Sequence, residues 1–175
     1  MADLDHATTC DLSNPPIRLR LIAGFIGAGE QDKAKEQLEA LRATDPGEPG
    51  LWGAWADLAI KTADKPMMRM VATEGMKALA AYPWDFMPVA TRLLILSSDS
   101  AAQKEDGSAE LSDQATIDDY LLQMRNREID PPVVAFLQGL AAERRGLLSE
   151  AITHWQRAVS LPGAGEQTLV TAYRG

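Results

Sequence analysis

Between residues 132 and 165, Gly139, Gly146, Ala151, Trp155, Ala158 and Pro162 fall in one 34-residue frame in which small and large side chains alternate. Two antiparallel helices approach closely only where a side chain is nearly absent, and an aromatic ring then fills the space beside the contact. The frame therefore specifies a helical hairpin. A hairpin of this length buries its apolar face mainly against neighbours of its own kind, so the rest of the chain should hold further copies.

Gly29 and Ala34 are spaced as Gly146 and Ala151 are, with Leu38, Leu41 and Pro46 at matching offsets, which places a first copy at residues 15–48. Phe25 supplies an aromatic in its first helix, while Ile22 stands where a small residue is expected. Ala34 and Ala151 are separated by three such periods with a little under half a period over. Two more units should lie between them. Trp52, Trp55, Ala56 and Ala59 recur at helical spacing, and after Pro66 so do Val71, Ala72, Met76 and Leu79, giving a second unit at 49–83 with about four inserted residues. Pro66 suits the first turn of its helix, where its missing N–H lacks a partner anyway. The third unit, 84–131, is stretched. A helix is expected over 85–98 (Phe86, Val89, Ala90, Leu93, Leu94, Leu96) and another over 113–128 (Ile117, Leu121, Met124), capped by Ser112 or Asp113. The intervening run at 97–111 is polar and reads as a loop. The remaining prolines, Pro15, Pro16, Pro46, Pro49, Pro83, Pro131, Pro132 and Pro162, read as turns, with only Pro66 and Pro88 at helix starts.

The segment 132–165 resembles a tetratricopeptide repeat, and Leu148, Glu150, Ile152, Gln156, Arg157 and Leu161 are further residue types common in that family. It departs at Ala142, where a tyrosine is usual, and Pro162 sits one place early. The resemblance implies an all-α fold, a right-handed α-α superhelix of about four helical hairpins over 15–165. Residues 1–14 are expected to form a disordered tail and 166–175 to begin a capping or truncated helix. It also implies that the first helix of each hairpin lines a concave wall facing a ligand. Carried over, the wall positions are Leu19, Ala23 and Ile26 in the first unit, Asp57, Ile60 and Lys61 in the second, and Phe136, Leu140, Glu143 and Arg144 in the last. In the third unit, Leu93 and Leu96 should face the same way. Some members of the family grip a C-terminal carboxylate with lysines, asparagines and arginine along this wall. Leu19 and Ala23 cannot do so.

Composition narrows the function classes. A net charge of -8 argues against a nucleic-acid surface, which needs clustered Lys and Arg to release counterions. Arg18 with Arg20, and Arg144 with Arg145, are the densest basic groups and read as solvated helix faces. The acidic excess suits a surface tolerant of the monomeric state or of weak self-association, or a basic partner. No run approaches the roughly 20 apolar residues of a membrane span, so a soluble protein of the cytoplasm or periplasm is expected. Cys10 is the single cysteine, and the stretch around it lacks the basic start and apolar core of a secretory signal.

Catalytic and cofactor readings are weak. His6 and Cys10 fall short of the four ligands of a structural zinc site. His154 reads as a packed or exposed histidine. Glu105 with Asp106, and Asp118 with Asp119, are adjacent pairs whose side chains diverge on a helix. The run from Gly24 to Glu30, GFIGAGE, lacks the Lys-Ser or Lys-Thr of a phosphate loop, so Gly27 and Gly29 are expected to end a helix and form a turn. No cofactor, metal or catalytic residue is expected. The expected function is that of a non-catalytic scaffold or adaptor, which binds a peptide or helix of a partner protein in the apolar groove. The alternative is a regulatory or targeting domain of a larger enzyme or membrane assembly. The run GLAAERRG followed by AITHWQRAV resembles the tetratricopeptide part of bacterial cytochrome c maturation factors.

Overall fold

The computed structural model describes residues 14–98 and 108–162. Over those residues it forms eight helices and no strand: α1 (Pro15–Ala28), α2 (Gln31–Thr44), α3 (Pro49–Thr62), α4 (Lys65–Ala78), α5 (Pro83–Ser97), α6 (Ser108–Asn126), α7 (Pro131–Arg144) and α8 (Leu148–Ser160). Each helix packs on the next in the chain, and α1, α3, α5 and α7 also pack on one another in succession. The alternate helices α2, α4, α6 and α8 show no comparable stacking. The result is a solenoid of four helical hairpins whose first helices form a continuous layer.

Proline sets the phase of this layer. Pro15, Pro49, Pro83 and Pro131 are each the first residue of a first helix, where the missing N–H costs no hydrogen bond and the fixed φ suits the helix. These prolines were expected in turns. The first three are spaced by one repeat period each, and the connections to the next hairpin, 45–48, 79–82 and 127–130, are equal in length. The second unit therefore carries no insertion, contrary to the expectation of about four residues. All the excess length falls in the third unit, partly as the longer α6 of 19 residues. Because α5 begins at Pro83, Pro88 lies inside that helix rather than at its start, and its ring removes one intrahelical N–H. Ser97 ends α5 and Ser108 begins α6, so the loop is shorter than 97–111 and neither Ser112 nor Asp113 is a cap. Residues 99–107 lie outside the described residues, as do 1–13 and 163–175, on which the expected tail and capping helix fall.

The turns inside the hairpins follow helix-capping chemistry. Gly29 and Gly146 adopt left-handed φ values of 79° and 78°, which glycine tolerates without penalty. At the first turn, Glu30 N–H reaches back to the Phe25 carbonyl at 2.9 Å, and at the last, Leu147 N–H reaches the Ala142 carbonyl at 2.9 Å. Gly29 thus forms the expected turn, while Gly27 remains inside α1. Ala63, one repeat period beyond Gly29, makes the same turn at φ 53° without glycine. Asp64 and Asp130 then start α4 and α7 by accepting from the Met67 and Val133 amides.

The core runs along the array. Ile22, Ala56 and Ala90, which share one position of the repeat, are buried in the layer of first helices. Close approach is set by three glycines that face side chains of a neighbouring helix. A Cβ at Gly50 would lie 2.6 Å from the Leu19 Cδ1 atom, one at Gly75 2.4 Å from the Phe86 ring, and one at Gly139 2.3 Å from the Trp155 indole. Trp155 is half-buried and its Nε1 has no hydrogen-bond partner among the described residues. In the second unit, Trp52 and Trp55 stack with centroids 5.9 Å apart, and the Arg42 guanidinium lies over both rings. α8 is the least covered helix. It buries Ala151 and Ala158 but exposes Leu148, Ile152 and Val159 on an adjoining flank.

Candidate partner-binding face

The first helices owe their open face to where their neighbours stop. α3 is flanked by α1 and α5 in the layer and packs on α2 and α4 behind it, which leaves one flank uncovered. Gly53 and Asp57, one turn apart, lie on that flank: Asp57 is exposed, and a Cβ at Gly53 would meet no atom within 4 Å. Ala23, one repeat period before Asp57, is exposed at the matching place on α1.

The expected wall residues divide into three groups. Ala23, Asp57, Lys61 and Glu143 are exposed. Leu19, Ile26, Ile60 and Leu140 are half-buried and pack against the core, while Arg144 is half-buried at the end of α7. Phe136, expected on the open wall, is instead a core residue only 9% exposed. In the third unit Leu93 is also fully buried, whereas Leu96 is half-buried. The two stand three apart and share a side of α5, but Leu93 is sealed because α3, α4, α6 and α7 all pack on that helix.

Lys61 has a structural task. Its ammonium donates to the carbonyls of Ile26 and of Gly27, at the C-terminal end of α1, where the helix dipole favours a cation and, among the described residues, the Ile26 carbonyl otherwise accepts only from the Gly29 N–H. This contact ties α3 to α1.

Sequence reasoning missed Arg92, which couples electrostatically to Asp57 across α5 and α3. Burial raises the Asp57 carboxyl above its ordinary pKa, and the Arg92 charge acts in the opposite direction. Arg92 shows the reciprocal pattern: burial lowers its pKa and Asp57 raises it. Asp57 is exposed as a residue, so the opposing effects on its carboxyl amount to little stability. Their consequence is two opposite charges that act on each other between α3 and α5. No motif marks Arg92. The repeat spacing from Asp57 leads to Thr91, which is buried and donates to the Met87 carbonyl at 2.7 Å.

The residues weighed for catalysis are dispersed. His154 is half-buried on α8. Asp118 and Asp119 are each held by a glutamine one turn away, Gln114 at 3.0 Å and Gln123 at 2.7 Å, and both are exposed. Gly24 to Ala28 of the glycine-rich run are helical. His6, Cys10, Glu105 and Asp106 lie outside the described residues. Among the described residues no group of three or more His, Cys, Asp or Glu converges as a metal site, and no helix is long and apolar enough to cross a membrane.

No family model, curated protein or solved structure matches this chain.

Proposed function

We propose that this chain is a non-catalytic interaction scaffold of the tetratricopeptide type, which binds a peptide or helix of a partner protein along the open face of α1, α3, α5 and α7. The observation that carries this reading is the uninterrupted stacking of those four helices, with Ala23, Gly53 and Asp57 on their uncovered flank. Small side chains let a ligand backbone approach. Half-buried Ile26, Ile60, Leu96 and Leu140 offer apolar contact, and Asp57 with Arg92 can fix its direction.

The test is selection of peptides from a phage-displayed random library on the immobilised chain, followed by affinity measurement on Ala23→Glu combined with Leu140→Glu. These sites are exposed and half-buried, so the variant should melt within a few degrees of the parent, which substitution of the buried Phe136 would not allow. The expected result is an enriched peptide whose affinity falls at least about tenfold in the variant, a loss of about 1.4 kcal/mol. A library yielding no binder, or a binder indifferent to both substitutions, overturns the reading.

A further inference from the structure

A second feature lies away from the open face. α6 and α8 both pack on α7 without packing closely on each other, so a cleft runs between them with α7 as its floor. Two adjoining cavities of about 350 and 260 Å³ occupy the cleft and share Arg125 and Gln138 in their linings. Arg157 lines the first, and Arg145 and His154 the second. Helical spacing explains the convergence. Leu122 and Arg125 stand three apart on one flank of α6, and His154 and Arg157 three apart on one flank of α8.

The side chains of this cleft are poised for a ligand in three ways. The guanidinium groups of Arg125, Arg145 and Arg157 form no ion pair among the described residues, in a chain whose net charge is -8. Gln138, half-buried on the floor, makes no hydrogen bond with its amide among the described residues, so it can both donate and accept. Leu121, Met124 and Ile129 form an apolar lining that the 45% exposed Leu122 extends to the surface. Two carboxylates share the rim. Asp118 is engaged by Gln114, and Glu128 lies in the turn before α7, so the three arginines outnumber them.

We propose that the α6–α8 cleft is a second docking site, which takes a short acidic segment of a partner protein carrying an apolar anchor residue. Guanidinium groups bind carboxylates through paired, charge-assisted hydrogen bonds, and three of them around one cleft complement a run of Asp or Glu. A bare anion would use the arginines and leave the apolar lining and the Gln138 amide idle. A peptide uses all three. The site stands independently of the open-face reading, because none of its lining residues is one of the expected wall positions.

The test is fluorescence anisotropy on the full chain at low salt, with a labelled peptide in which leucines are flanked by glutamates. Counterparts carry glutamine or lysine in place of each glutamate, and inorganic phosphate serves as a competitor. The glutamate peptide should bind, and raised salt should weaken it. Arg125→Glu combined with Arg157→Glu should reduce its affinity at least about tenfold, with Arg125→Gln giving a smaller loss if the double variant folds poorly. Ala23→Glu with Leu140→Glu should leave it unchanged. Equal binding of the glutamine or lysine peptide, full displacement by millimolar phosphate, or indifference to the arginine substitutions would each overturn the proposal.

Discussion

Trp52→Ala is expected to lower the unfolding free energy by about 3–5 kcal/mol, the range for truncating a fully buried large aromatic. Trp52 is 1% exposed, stacks on Trp55, and donates from Nε1 to the Pro46 carbonyl at 2.9 Å. Its removal leaves that carbonyl short of a donor in the short connection between α2 and α3. It also takes one of the two rings from beneath Arg42, which additionally pairs with Glu74 at 3.3 Å. Arg42, seated on these rings, thus joins three successive helices, α2, α3 and α4. Phenylalanine keeps most of the packing but not the hydrogen bond, so Trp52→Phe should cost about 1–2 kcal/mol. Urea unfolding of the three proteins checks the order. A Trp52→Ala midpoint close to the parent's would mean that the second unit is not packed around this ring.

Gly75→Ala should be destabilising by about 1–3 kcal/mol, against the usual preference for alanine in a helix interior by about 1 kcal/mol. Gly75 is on α4, and its missing Cβ is the space into which the Phe86 ring of α5 fits. Phe86 is buried, so the ring cannot swing into solvent and the two helices must separate. Phe86→Leu in the same chain should recover part of the loss, and the coupling between the two substitutions is readable from a double-mutant cycle. Gly139→Ala meets Trp155 in the same manner, but that indole is half-buried and can shift outward, so its cost should be smaller. Stabilisation by Gly75→Ala would show that α4 and α5 do not meet at this close contact.

The hairpins were legible because their determinants are local. Gly29 and Gly146 mark left-handed turns, and Ala34 and Ala151 mark close helix contacts, so their spacing carries the period without knowledge of what lies far away. The exact phase was also present in the chain, in Pro15, Pro49 and Pro83, but those residues fit turns as well as first helical positions. Only the hydrogen-bonding context separates the two roles. The middle unit resisted because Ala63 makes its turn without glycine, which removed the marker that would have shown that no insertion is present.

The open face was less legible, since a repeat position fixes direction from the helix axis but not how many neighbours enclose the helix. Ala23 and Asp57 are exposed at matching positions on α1 and α3, whereas Thr91, at the same spacing on α5, is sealed. Phe136 is likewise buried where openness was expected. Arg92 belongs to the face through its coupling to Asp57, a relation between two helices that no single segment encodes.

The central claim is that α1, α3, α5 and α7 are stacked in chain order. Distances between paired nitroxide labels test it, with cysteines introduced at Ala23, Asp57 and Glu143 in a Cys10→Ser background, all three being exposed positions on first helices. Adjacent packed helices lie about 8–10 Å apart, so Ala23 to Asp57 spans one step and Ala23 to Glu143 spans three, roughly 25–30 Å before label length is added. The account predicts that the second distance exceeds the first by about two helix steps, with a narrow distribution. Equal distances for the two pairs, as a closed bundle would give, contradict it.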